Sequence, residues 1–219
     1  MSNNVERFGA LTPENCAVLL VDHNLGFIQV CHGDRTDIKN GVVALARTAR
    51  VYNLPIVISK TPDDSISGPL IPQLLEVVKD CQMVNRKLAD MDSLNDSEVS
   101  AALKATGRKK IVIAGIMTDV CVLMTTLHAL KDGYEVYVVE NASGGSDPVS
   151  VRNALTRMQQ AGATVVSWLT LLSELQSNWN YADPEKARTA GGLVKIISDH
   201  ANGWSNLNDF YYGIKSSSL

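Results

Sequence analysis

The chain of 219 residues is 45% hydrophobic and 20% charged, an ordinary globular balance that leaves no case for disorder over most of its length. A formal charge of −3, with no Lys/Arg run longer than RKK at 108–110, gives no broad basic surface, so nucleic acid is not an expected partner. No apolar stretch reaches the roughly 18 residues of a membrane span, and the start MSNNVERFG lacks the apolar core of a signal peptide; no membrane partner and a cytoplasmic location are expected.

Short apolar, β-branched runs alternate with longer amphipathic ones. CAVLLVD (16–22) reads as a first strand, followed by the helical pattern ALARTARVYN; PIVISK (55–60) is a second, followed by PQLLEVVKD. CQMVNRK (81–87) and SEVSAALKATG, then KIVIAG (110–115) and CVLMTTLHALKDG, repeat the pairing. EVYVVE (135–140), SVRNALTRMQQAG and TVVSW (164–168) complete six strands. Strands apolar nearly throughout, each followed by a helix, predict a three-layer αβα sandwich around a doubly wound, mainly parallel six-stranded sheet. Ligands bind at the carboxyl ends of such strands, where Asp22, Lys60, Lys87 and residues 115–118 and 140–141 fall together.

Residues 1–180 are assigned to this domain and 181–219 to a helical tail, broken near Asp183 and carrying Trp204, Phe210, Tyr211 and Tyr212. Exposed aromatics need a surface to cover them, which is either the tail's own domain or a neighbouring subunit. The expectation taken is a neighbouring copy, hence a homo-oligomer.

Four cysteines, at 16, 31, 81 and 121, lie far apart with no CxxC pair, so neither a disulfide framework nor a zinc knuckle is suggested. Cys16 and Cys81 open strands and read as core. Cys31 adjoins His32, but adjacent side chains point apart, so the two do not read as a dyad. Cys121 sits in GIMTDVCVL, within the first turn of the helix after the fourth strand, with Thr118 as the expected N-cap. Free backbone N–H groups and the positive end of the helix dipole there favour thiolate. Asp22, directly after four apolar residues, needs solvent or a cationic partner. Alternation along MVNRK puts Met83, Asn85 and Lys87 on one face and Val84 and Arg86 on the other, so one cation faces a given site; Lys87 is the choice, although a strand-end lysine is commonly just solvated.

Asp22 in LLVDHN, Lys87 in VNRKLADMDSL and Cys121 in GIMTDVCV, each at a strand end and in that order, resemble the catalytic triad of the isochorismatase-like cysteine hydrolases. The resemblance runs from about residue 12 to 180 and takes in SKTPDD, PLIPQL and VVENASG; G-x-x-T-D-x-C-V is its specific part. The tail and the segment after Lys87 look most like a bacterial subgroup of oligomeric hydrolases with unsettled substrate. That subgroup has a Gly-containing turn and Asn-Ala-Trp where this chain has LADMDSL, so the pocket wall differs. The resemblance implies Cys121 as nucleophile, Asp22 as its base and Lys87 as the stabilising cation. It also implies a cis peptide at Ile116–Met117, and an oxyanion hole made by the N–H groups of Met117 and Cys121. The activity implied is metal-independent cleavage of a C–N bond in a small amide-like substrate through a thioester, with no cofactor. A vinyl-ether hydrolase and a non-catalytic binding module on the same fold are the alternatives; a thiol redox sensor lacks a resolving cysteine nearby.

Asn24, Met91, Leu94 and Thr118 are the candidate substrate contacts. His128 lies two turns beyond Cys121, about 11 Å, too far for a base. Nicotinamidase-like members add a metal site of one Asp and two His after the second strand; here TPDDSISGPLIPQ has Asp63 and Asp64, with no histidine between residues 33 and 127, so no metal is expected. NASGGSD (141–147) reads as a mobile loop over the site rather than a phosphate cradle.

Overall fold

Six β-branched runs form β1 (Cys16–Val21), β2 (Ile56–Lys60), β3 (Gln82–Asn85), β4 (Lys110–Gly115), β5 (Glu135–Val139) and β6 (Thr164–Val166) in a computed structural model that describes residues 11–87, 90–201, 203–204 and 206–207. They pair in the order β3-β2-β1-β4-β5-β6, every pair parallel, so the sheet is wholly rather than mainly parallel. The chain winds outward from β1 to β3, returns to place β4 beside β1, and winds outward again. The winding reverses between β1 and β4, whose ends meet in register at Val21 and Gly115. A crevice opens at such a reversal.

Eight helices accompany the strands among the described residues: α1 (Leu25–Gln29), α2 (Arg35–Val51), α3 (Pro72–Val78), α4 (Ser97–Ala105), α5 (Leu123–Lys131), α6 (Pro148–Ala161), α7 (Trp168–Gln176) and α8 (Pro184–His200). Several start where the sequence provides an N-cap: Asp34, Asp96, Asp147 and Asp183 each accept a hydrogen bond from the backbone of the first turn. The central strands β1 and β4 are buried along their whole length, because alternate side chains feed two separate cores. Leu20, Ile58 and Ala114 face Leu45, Ala49, Leu171 and Leu193, whereas Leu19, Val84 and Ile113 face Val99, Leu103, Leu123 and Met158. None of the described helices is long and apolar enough to cross a membrane.

The expectation that residues beyond 180 lie on a neighbour needs correction for α8. Its Leu193 and Ile196 are fully enclosed in the first core. Asn40 Nδ2 donates to the His200 carbonyl at 2.8 Å, and Arg47 pairs with Asp199 at 2.7 Å, fastening the helix to α2 of its own chain. An apolar stripe inside a helix next to a core that lacks a lid is covered most directly by that core. Trp204 and Leu207 remain about half exposed, while Phe210, Tyr211 and Tyr212 fall outside the described residues.

Candidate functional site

The site is built at the β1/β4 reversal. Asp22 follows β1 in a left-handed conformation, φ 54°, which Asp tolerates better than most residues, and its side chain is fully buried. From β4 the chain passes through a cis Ile116–Met117 peptide into a π-helical turn, Thr118–Val122, that leads into α5. The expected cis bond is therefore present. The expected cap is not: Thr118 is itself helical, Met117 precedes the turn, and no side chain caps it. Gly115 is required at the junction, since a Cβ there would stand 2.6 Å from the Val21 carbonyl oxygen and 2.9 Å from Val122 Cγ2.

Cys121, half-buried, donates its thiol proton to Asp22, and the Met117 N–H points at its sulfur. Asp22 also accepts from the Thr61 N–H and from a buried guanidinium. That guanidinium belongs to Arg86, not Lys87. Arg86 Nη2 lies 2.7 Å from Oδ1 and 2.6 Å from Oδ2 of Asp22, with side chains 3% and 0% exposed. Lys87 points into solvent, 79% exposed, and pairs with Glu98 at 2.6 Å. The choice of Lys87 is corrected on the alternation that prompted it. Met83 packs partly on the first core and Val84 is buried in the second, and Arg86 follows Val84 by two on the same face. Lys60, also grouped at this edge by the sequence, pairs instead with Asp63.

Thiol and carboxylate share one proton. Burial raises Asp22 above the usual carboxylate range, opposed by the charge and hydrogen bond of Arg86 and by the bonds from Cys121 and Thr61. Burial, then the charge of Asp22 and its hydrogen bond, push Cys121 up to about 12, against the lowering by Arg86 and the Met117 N–H. The thiolate expected from the helix dipole is not favoured in the resting site, because burial, and then a carboxylate in contact, outweigh partial charges at a helix end. Moving the proton from sulfur to Asp22 leaves the net charge of the buried trio unchanged, so burial does not oppose the transfer as it opposes ionisation to solvent. The other thiols stand apart: Cys16 and Cys31 are buried and pushed up to about 11, and Cys81 is raised by burial.

The proposed substrate contacts divide. Asn24 is buried, donates through Nδ2 to the Gly68 carbonyl and leaves Oδ1 without a partner. Thr118 is buried, its N–H donating to the Gly144 carbonyl at 2.7 Å. Leu94 is 5% exposed and packs with Val84, Val99 and Val122, filling core rather than lining a pocket. Met91 is 59% exposed. The loop at 141–147 is a buttress rather than a mobile cover: Gly144 N–H bonds the Gly115 carbonyl at 3.2 Å, and Ser146 donates to both oxygens of Asp119. Among the described residues no three His, Cys, Asp or Glu side chains gather as a metal would require. His128, set aside as a base, holds Asp92 through Nδ1 at 2.7 Å.

The isochorismatase domain profile matches residues 16–169. A protein of Escherichia coli K12 described as the probable hydrolase YcaC is 32% identical over 202 residues, covering 92% of this chain and 93% of that one. The solved structure of Escherichia coli YcaC, described as an octameric hydrolase of unknown specificity, superposes with a TM-score of 0.87 at 32% identity over 94% of this chain and 98% of that one. YcaC from Pseudomonas aeruginosa, solved with hexane-2,5-diol and covalent acrylamide, gives 0.85 at 35% identity, with 93% and 98% covered.

Proposed function

The chain belongs to the isochorismatase family, as a hydrolase similar to YcaC, and from that premise we propose that it cleaves a C–N bond of a small amide-like substrate by cysteine catalysis without a metal. The observation that carries this reading is the buried trio at the sheet reversal: the Cys121 thiol bonded to Asp22, and Asp22 held by Arg86.

In this reading Cys121 Sγ attacks the substrate carbonyl carbon as its proton passes to Asp22. The carbonyl π pair moves to oxygen, and the oxyanion is met by the N–H groups of Met117 and Cys121. As the pair returns, the C–N bond breaks and Asp22 protonates the departing nitrogen, leaving a thioester. Water then attacks, giving its proton to Asp22; the C–S bond breaks, the acid leaves and sulfur recovers the proton. Arg86 holds Asp22 in place and offsets its charge while the proton is away. Asn24, with Oδ1 unpartnered two residues beyond Asp22, is assigned to a substrate N–H. Thr118, buried three residues before Cys121 in the same π turn, is kept as a candidate substrate contact. A thiol in contact with a general base favours this reading over vinyl-ether hydrolysis, in which water adds after protonation and no side-chain nucleophile is needed.

The reading extends to assembly. The octameric state described for Escherichia coli YcaC, with Trp179, Tyr181, Trp204 and Leu207 exposed here, supports a homo-oligomer that covers the C-terminal end against neighbouring copies.

Incubation with acrylamide, read by intact mass and peptide mapping, tests the nucleophile; one adduct at Cys121, absent in Cys121→Ala, is expected. A panel of small amides then tests turnover. Asp22→Asn should abolish hydrolysis, having no proton to give the leaving nitrogen, yet alkylate faster because the charge that raises the thiol is gone. Unselective labelling of all four cysteines with no amide turned over would instead indicate a binding module.

A further inference from the structure

Arg86 meets Asp22 in an uncommon way. Guanidinium–carboxylate pairs ordinarily form a fork, two nitrogens on two oxygens. Here the single nitrogen Nη2 serves both oxygens, at 2.7 and 2.6 Å. Nη1 turns aside and donates to Ser93 Oγ at 2.7 Å, while Nε is buried with no partner. A pair built only for stability would use a second nitrogen on the carboxylate and leave no donor idle.

Ser93 holds Nη1 away from the carboxylate. It is fully buried at the start of a 3-10 turn, Ser93–Asn95, that follows the segment after Arg86. The turn is fastened on both sides. Asp92 Oδ1 accepts the Leu94 N–H at 3.0 Å, and Ser93 N–H donates to Thr125 Oγ1 at 3.0 Å. His128 Nδ1 bonds Asp92 Oδ2 at 2.7 Å. Thr125 and His128 belong to α5, the helix entered through Cys121, so the turn that aims the cation is tied to the helix that continues from the nucleophile.

We propose that Ser93 is a positioning residue: by taking Arg86 Nη1 it denies Asp22 the fork of Nη1 and Nη2, and so keeps that carboxylate basic enough to accept the Cys121 proton. The inference rests on the reading of Asp22 as the base for Cys121. End-on contact by Nη2 leaves a lone-pair direction on the carboxylate for the Thr61 N–H and another for the thiol, the two other donors Asp22 receives. A full fork would neutralise the carboxylate further, making it a poorer base and the thiolate easier to form.

Ser93→Ala therefore moves two measurements in opposite directions. Alkylation of Cys121 by iodoacetamide, followed by mass spectrometry between pH 6 and 9, should quicken by about tenfold at each pH, one unit in the thiol's ionisation. Hydrolysis of any amide the parent protein turns over should slow by roughly tenfold to a hundredfold as the base weakens. Ser93→Thr, which keeps the oxygen, should restore both rates, and thermal melting of each variant reports folding. If Ser93→Ala does not fold, Thr125→Val, which removes only the anchor of the Ser93 N–H, is read instead and should shift both rates with the same signs and smaller amplitude. An alkylation rate unchanged or lowered in the folded variant overturns the proposal. Faster alkylation in a protein that hydrolyses no amide supports the positioning role and removes the hydrolase reading.

Discussion

Replacing Arg86 by Met keeps most of the side-chain volume and removes the charge, so the loss it causes is electrostatic rather than a cavity. Arg86 and Asp22 are 3% and 0% exposed, and Asp22 would be left buried without its cation. Removing one partner of a buried pair costs about 3–5 kcal/mol. For a chain of this size that corresponds to a melting temperature lower by roughly 6–20 °C. The loss should depend on pH, with a definite sign. Burial already raises the folded-state pKa of Asp22, and Arg86 opposes that rise. Without Arg86 the pKa climbs further. A raised folded pKa means stability that is present below the unfolded carboxylate value and lost as pH rises through the folded one. The Arg86→Met penalty is therefore largest at neutral pH and above and shrinks as pH falls toward the ordinary carboxylate range, where Asp22 takes up a proton. Melts at fixed protein concentration from pH 4.5 to 8, for Arg86→Met, Arg86→Met with Asp22→Asn, and Lys87→Met, make the comparison. The double variant should recover part of the loss at neutral pH, and Lys87→Met should melt with the parent protein. Equal losses for Arg86→Met and Lys87→Met, or an Arg86→Met loss that does not change with pH, would refute the assignment of the buried cation.

Leu94→Ala should cost about 2–5 kcal/mol in urea unfolding, as a truncated core leucine does, whereas Met91→Ala should leave the midpoint unchanged. Gly115→Ala should destabilise the fold and slow Cys121 alkylation, because its Cβ would press on the Val21 carbonyl and on Val122 beneath the π turn. In the parent protein, iodoacetamide alkylation of Cys121 should go on rising through pH 9 without a plateau, as expected of a thiol held near 12; a plateau below pH 8 would contradict the shared-proton site. Trp204→Ser with Leu207→Ser should lower the mass in gel filtration while sparing the melt of the domain; truncation before α8 is no substitute test, since Leu193 and Ile196 belong to the core.

The fold was legible because the four inner strands, buried on both sides, cannot hide their apolar runs, and all six strands begin and end within two residues of the runs that announced them. Two of the three side chains in the buried trio were legible for a related reason, since a carboxylate after LLV and a thiol after GIMTDV stand where the chain leaves the sheet. The cation was misread because Arg86 and Lys87 are neighbours, and face, not spacing, decides between them. Met83 and Val84 pack on opposite cores, and Val84, the one β3 residue fully buried, marks the side on which Arg86 also lies. The state of the thiol was misread for another reason: a helix start is visible in sequence, but the burial of Cys121 and its contact with Asp22, 99 residues away, are not, and together they outweigh it. The role of α8 needed the same knowledge, namely which surface lay bare beside α2. Ser93 carried no signal at all, because a serine in a turn looks alike whether it meets solvent or a guanidinium.

Arg86 hangs from the outermost strand of the sheet, and β3 has only four residues. Strand spacing of about 4.8 Å puts that edge two steps from the strand that bears Asp22, so a rim element furnishes a central chemical group. Short rim strands peel first when a sheet loosens. Mild heat or low denaturant should then silence the reaction before the bulk of the molecule gives way, making turnover a more sensitive gauge of early fraying than circular dichroism.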